Sequence, residues 1–201
     1  MARITPIPVR LRDGRAVTLR AAEAGDVDAL VLLTISVAKE QAYTLSEPAE
    51  AALSGPRIAK RVAKAIGNPH ELRLLAIADS GGFPHDAGHV VGDLSISAHQ
   101  WKRLAHCATL GIDIHHDYRR VGLGDAMMRA ALSWAAAHPA IERVELYCYA
   151  DNAPAIALYK KHGFVEEGRR VRFFKLAEGR YADDLVMAAF VKGSGATLPH
   201  H

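Results

Sequence analysis

The sequence predicts an α/β protein: a mixed sheet with helices on its faces. Three observations carry that expectation. Short apolar segments bounded by Gly, Pro and Asp recur along the chain as strand candidates. Strand and helix patterns alternate in the second half, which places parallel neighbours in the sheet and helices over it. The chain has 201 residues, half of them hydrophobic and 23% charged. That is the composition of an ordinary globular domain, long enough to bury about 70% of its unfolded surface.

The elements follow in order. Val17 to Arg20 reads as a strand after the turn-like Asp13-Gly14. Asp26 stands at an N-cap, and Val27, Leu30, Val31 and Ala38 mark a helix to about Glu40. Gln41 to Glu50 is polar and turn-rich. Pro56 opens a second helix, with Ile58, Val62 and Ile66 on one stripe and Gly67 behind it. Strands are expected at Glu71–Asp79, His89–Ser97 and Ala108–His115, the first two separated by the loop SGGFPHDAGH. A helix runs from about Gly122 to His138, with Leu123, Met127, Ala130 and Trp134 on one face and Pro139 as its stop. A strand at Val144–Tyr149, a short helix at Ala153–His162 and strands around Phe164–Val171 and Leu185–Val191 complete the pattern. No boundary interrupts it, so residues 1–201 are expected to form one domain. Its core spans about 17–191, with a flexible tail at 192–201.

Charge and composition exclude several classes. Net charge is +3, from 25 basic and 22 acidic residues. That balance, without a strongly basic block, argues against a nucleic-acid partner. The N-terminal segment lacks an apolar signal region, and no apolar run approaches the roughly 20 residues that span a bilayer. The expected compartment is the cytoplasm, where Cys107 and Cys148 stay reduced. Cys148 shares a strand face with Val144 and Leu146 and reads as a small core residue. Eleven histidines show no recognised ligand spacing: His115 and His116 adjoin at a strand end, where neighbours point apart. No metal is expected.

The sharpest chemical feature is Arg119-Arg120-Val121-Gly122-Leu123-Gly124, between a strand and an amphipathic helix. Unsatisfied N–H groups at a helix start, with the helix dipole, make an anion site. Gly122 and Gly124 let a phosphate approach the backbone, and an adjacent arginine adds charge. This chemistry calls for a phosphate or pyrophosphate without saying whose. No Gly-Lys-Ser/Thr follows, which excludes a Walker loop, and Met127 stands where a dinucleotide-binding fingerprint needs its third glycine.

The stretch LGIDIHHDYRRVGLGDAMMRAAL resembles the acetyl-CoA motif of GNAT acetyltransferases, R/Q-x-x-G-x-G/A after a strand, filled by Arg119, Gly122 and Gly124. Arg120 departs mildly from the glycine frequent at its position. VELYCYADNAPAIALYKKHGFVEEG resembles the family's second signature, filled by Asn152, Ala155, Leu158, Tyr159, Gly163 and Phe164. Arg20, Ala22 and Asp26 match its usual start. Gly179, Tyr181, Asp183 and Met187 match a frequent ending. The resemblance covers roughly Val17 to Val191.

It implies a central twisted mixed sheet of six to seven strands, in which two parallel strands, 108–115 and 144–149, splay to hold coenzyme A. Ile112, Asp113 and Ile114 are then the backbone partners of the pantetheine arm. Residues Arg120, Val121, Gly122, Leu123, Gly124 and Asp125, with Arg119 before them, receive the pyrophosphate. Asn152 touches the cofactor, and Tyr159 protonates the leaving thiolate. The attacking amine must lose a proton. Asp113, Glu40, Asp93 and His106 are candidate bases, and a water chain is an alternative to them. The implied activity is acetyl-CoA-dependent acetylation of a primary amine on a small molecule or amino acid. Protein N-terminal amines, or CoA binding without transfer, are the alternatives. Family habit adds a possible homodimer that covers the late strands around Phe173, Phe174 and Val186.

Overall fold

The computed structural model describes residues 4–78, 89–176 and 179–192. Most of the loop expected at 80–89, the expected tail from 193 onward, and Asp79 lie outside them. The strands are β1 (Ile7–Arg10), β2 (Ala16–Ala21), β3 (Glu71–Ala78), β4 (His89–Ala98), β5 (Cys107–Ile114), β6 (Arg143–Tyr149), β7 (Val165–Lys175) and β8 (Tyr181–Phe190). The helices are α1 (Val27–Lys39), α2 (Pro48–Ala52), α3 (Gly55–Gly67), α4 (Leu123–Ala137) and α5 (Ala153–Lys161). The strand order is β1-β2-β3-β4-β5-β6-β8-β7. The sheet has eight strands against the six to seven expected.

The added strand is β1. Its sequence IPVR carries a proline, which cannot donate to a ladder and is tolerated at a sheet edge. β1 occupies that edge. The segment 41–50, expected to be turn, contributes the start of α2. Pro48 opens this helix, and Glu47 and Glu50 form a reciprocal capping box around its first turn.

Two compact units share the chain. One comprises Met1–Ser97 and Gly111–Ala131, the other Ala98–Leu110 and Leu132–His201. In the first, β1 to β4 pair antiparallel. Leu30, Leu33 and Val37 of α1 and Ile58 and Val62 of α3 form one buried cluster with Ala22, Leu75 and Val90. For α3 this is the expected stripe, with Ile66 packed against it; in α1 Leu33 and Val37 join Leu30 in the buried cluster, while the expected Val27 and Val31 are only partly buried against it. Met127 of α4 lies against Gly92 of β4, where a Cβ would meet its sulfur at 2.7 Å. Asp26 stands at the head of α1 but makes no side-chain cap. Its carboxylate instead accepts from Arg20 at 2.7 and 2.6 Å and from the Glu23 amide at 2.7 Å. That gives the Arg20…Asp26 spacing its physical content: it ties the end of β2 to the start of α1.

In the second unit β5 pairs parallel with β6, and β6 and β7 both pair antiparallel with β8. Both β7 and β8 are longer than expected. Their ladder is interrupted between Arg170 and Phe174, and Arg172 takes φ +54°. Asp183 holds that irregularity by accepting from the Arg172 amide at 2.8 Å. Cys148 is buried as expected, and burial pushes its thiol up to about 11. Among the described residues no helix is long and apolar enough to cross a membrane.

Candidate functional site

The β5–β6 ladder runs from Cys107↔Arg143 to Leu110↔Leu146 and goes no further. β5 continues for four residues beyond it. On that stretch Ile112 and Ile114 are half-buried while Gly111 and Asp113 are exposed, the alternation a strand demands. On the β4 side the His115 amide donates to the Val91 carbonyl at 3.0 Å. Among the described residues, Ile112–Ile114 are not part of the β6 ladder.

At His115 the chain leaves the strand and enters a short 3₁₀ turn, His116–Tyr118. The turn overturns one sequence expectation: the rings of His115 and His116 do not point apart but stack, with centroids 4.3 Å apart. Burial, followed by the neighbouring His116, lowers the His115 pKa, so its imidazole is neutral near pH 7. His115, His116 and Asp117 form a close group of possible ligands. The His115 Nδ1 already accepts the Asp117 amide, at 3.4 Å.

The turn delivers the loop that the sequence marks as an anion site. Arg120 takes φ +61° and Gly122 φ +95°. Two left-handed residues in three fold the chain back sharply into α4. This shows why glycine suits position 120 and what the arginine there costs. Leu123 and Met127 bury the inner face of α4, while Gly124 and Asp125 are half-buried in its first turn. Asp125 pairs with Arg129 one turn on, a common helical ion pair.

Arg119 faces the other way. Its guanidinium donates to both carboxylate oxygens of Glu40, at 2.6 and 2.7 Å, and its Nε donates to the Ile114 carbonyl at 2.9 Å. Two residues expected in different roles, phosphate ligand and base, are thus clamped together. The clamp ties the C-terminal end of α1 to the exit of β5. The pair is partly exposed, so it contributes about 1 kcal/mol at most. Glu40→Gln should lower the Tm by no more than roughly 4 °C, read by calorimetry. A much larger drop would show that this clamp is structural.

Asp113 is reachable by solvent, yet surrounding protein desolvates it enough to push its carboxyl up to about 6, with the neighbouring Asp93 adding to the rise. Both facts hold for a recessed but open carboxyl. Arg119, Arg73 and Arg61 oppose it. Asp93 is engaged by Arg73 at 3.0 and 2.7 Å. Asp113 has no hydrogen-bond or ion-pair partner among the described residues.

In the second unit, Asn152 caps α5: its side-chain oxygen accepts from the Ala155 amide at 3.2 Å. This leaves the side-chain NH₂ turned to no described residue. Tyr159 is buried on α5, 6.1 Å from the Phe164 ring. Gly163, at φ +82°, turns the chain from α5 towards β7.

Sequence reasoning marked the turn at Asp13-Gly14 but missed what it reaches. Arg12 and Arg15, between β1 and β2, both reach the loop: the Arg12 amide donates to the Val121 carbonyl at 3.0 Å, and Arg15 donates to the Asp117 carbonyl at 2.5 Å. Over a hundred residues separate the partners, and no local pattern signals such pairs.

Comparison with known proteins agrees with this geometry. The acetyltransferase (GNAT) family profile matches residues 41–164. The L-amino acid N-acetyltransferase AaaT of Escherichia coli (strain K12) is 38% identical over 101 residues, covering 50% of this chain and 62% of that protein. The chain thus spans less than two thirds of that relative. The structure of a GNAT-family acetyltransferase from Streptococcus pneumoniae superposes with a TM-score of 0.76 at 29% identity, over 87% of this chain and 99% of that one. The spermidine N-acetyltransferase of Vibrio cholerae, solved with CoA and spermine, shares the fold at a TM-score of 0.67 and 24% identity, over 87% of this chain and 95% of that one. A glycine-bearing loop at the mouth of α4, a β5–β6 ladder that ends at Leu110 and a family match over residues 41–164 lead to one conclusion: the chain belongs to the GNAT family of N-acetyltransferases.

Proposed function

We propose that the protein transfers the acetyl group of acetyl-CoA to the primary amine of a small molecule or amino acid, by direct attack of the amine on the thioester. The observation that carries this reading is the left-handed turn at Arg120 and Gly122, which opens the first turn of α4 after the stretch of β5 that lies beyond the β6 ladder. Amide groups of Val121 to Asp125 would hold the pyrophosphate, and the backbone of Ile112–Ile114 the pantetheine amides. Asn152 supplies a free side-chain NH₂ for a further cofactor contact. The amino-acid class of acceptor rests on the likeness to the E. coli enzyme.

In this reading the amine nitrogen forms the new bond to the acetyl carbon, and the carbon–sulfur bond breaks. Asp113 takes the proton the amine loses, and the Tyr159 hydroxyl supplies one to the departing sulfur. Glu40, clamped by Arg119, is a poorer base than Asp113, because both of its oxygens are occupied. The buried thiols of Cys107 and Cys148 fit a reducing cytoplasm. Val171 and Phe173, 72% and 50% exposed on β7, offer apolar surface to a second copy. A sedimentation run giving a clean monomer removes the dimer and leaves the enzyme reading intact.

Two experiments test the core. A ligand bound only by the folded state at a hundredfold excess over Kd adds about 2.7 kcal/mol, or very roughly 5–10 °C in Tm. CoA and acetyl-CoA should protect alike, and ATP or NAD far less. Better protection by ATP or NAD would overturn the assignment. CoA release should then be seen with some member of an amine and amino-acid panel.

The pH dependence follows from Asp113. A base must be ionised to act, and this carboxyl ionises near 6. kcat/KM should rise with pH through about 6 and lose that limb in Asp113→Asn, with a fall of 10²-fold or more. A profile unchanged in the variant would pass the role to water.

A further inference from the structure

We infer that Arg12, in the β1–β2 turn, is a phosphate-binding residue of the coenzyme A site. It would take the place beside the pyrophosphate that the sequence motif suggests for Arg119. The inference rests on the CoA reading above and adds a residue that lies well outside the family match at 41–164.

The loop is surrounded by four arginines, and their engagements differ. Arg119 is held by Glu40 and the Ile114 carbonyl. Arg15 is held by Asp13 and the Asp117 carbonyl, with its guanidinium 3.9 Å over the Tyr118 ring. Arg120 and Arg12 are exposed, and neither side chain has a partner among the described residues. Of these two, Arg12 lies over the glycine. A Cβ built on Gly122 would stand 3.7 Å from both Cγ and Nε of Arg12. The guanidinium therefore begins beside Gly122, one of the two loop residues that lack a side chain.

The turn that carries Arg12 is fixed. The Leu11 amide donates to the Arg15 carbonyl at 2.8 Å and the Gly14 amide to the Leu11 carbonyl at 3.0 Å. Leu11 is buried, and Gly14 takes φ +89° where the turn needs it. The Arg12 amide and the Arg15 guanidinium then bond the turn to the loop at Val121 and Asp117. On a fixed turn only the side chain's own freedom is lost on meeting a phosphate, which the guanidinium can bind through two parallel N–H groups. The same bonds give Arg15 a different part: it positions the turn and is not itself available to a ligand.

The test uses the full chain and calorimetric titration with three probes: CoA, 3′-dephospho-CoA and acetyl-pantetheine. Arg12→Gln should weaken CoA and 3′-dephospho-CoA alike, by about tenfold or more, as expected for loss of a charged hydrogen bond. Acetyl-pantetheine, which has no phosphate, should bind the variant and the parent equally. Arg12→Lys should recover part of the loss, since the charge returns without the fork. The Tm without ligand should not change, because the backbone bond to Val121 is kept. Equal CoA affinity in Arg12→Gln and parent overturns the inference while the CoA reading stands. A loss seen with CoA but absent with 3′-dephospho-CoA also overturns it, by moving Arg12 to the 3′-phosphate. Failure of the parent to bind CoA removes the reading beneath it.

Discussion

Gly124→Glu should abolish coenzyme A binding while leaving the protein folded and no less stable. Gly124 sits in the first turn of α4, where the N–H groups have no intrahelical acceptors. A glutamate there fills the space a pyrophosphate needs and sets a negative charge against it. The same change favours the helix. Glutamate is the better helix former by up to about 1 kcal/mol, and an acidic group in the first turn complements the dipole. Binding and stability therefore move in opposite directions, which a merely disruptive substitution cannot produce. Titration should show Kd for CoA raised by on the order of 100-fold or more, equivalent to about 2.7 kcal/mol. The Tm of the free protein should hold or rise. Gly124→Ala, which adds one methyl and no charge, should cost far less. Unchanged CoA affinity in the glutamate variant would sink the phosphate assignment.

The sequence made the loop legible because the glycines and helix start that form its turn are local. Two glycines, a preceding strand and an amphipathic helix lie within some twenty residues, and the φ angles of Arg120 and Gly122 are what that spacing requires. Arg20 and Asp26 were legible as motif positions, but not as a pair: the Asp26 carboxylate clamps Arg20 of β2 and does not cap α1. What lies across the fold was not legible. No pattern in the sequence brings Arg12 to Val121 or Glu40 to Arg119, separated by 79 positions. Both pairs depend on the β1–β2 turn and α1 reaching the exit of β5, which is a matter of tertiary packing. β1 escaped notice because a four-residue strand containing a proline carries almost no periodic signal. The stacking of His115 and His116 escaped because strand alternation was extended one residue too far, across the point where the chain begins its 3₁₀ turn.

Tyr159→Phe separates chemistry from packing more cleanly than any other single change. The ring is 7% exposed and packs on Phe164, so phenylalanine keeps the buried area and shape. Only the hydroxyl and its hydrogen bonding are lost. Loss of one neutral hydrogen bond costs about 0.5–1.5 kcal/mol, which should lower the Tm by no more than roughly 6 °C. CoA affinity should be nearly intact, since none of the proposed phosphate and pantetheine contacts uses the Tyr159 hydroxyl. The rate should behave differently. A thiol ionises near 8.5, so the departing sulfur ends protonated at neutral pH, and an acid that delivers the proton as the bond breaks spares the release of a free thiolate. A positioned acid is worth on the order of 10²-fold in such a step. We therefore expect kcat to fall by about that factor with KM for acetyl-CoA little changed, followed by release of free thiol against the best amine of the panel. A kcat equal to the parent's would make Tyr159 a core aromatic of α5. The sulfur would then have to take its proton from water or from the amine itself.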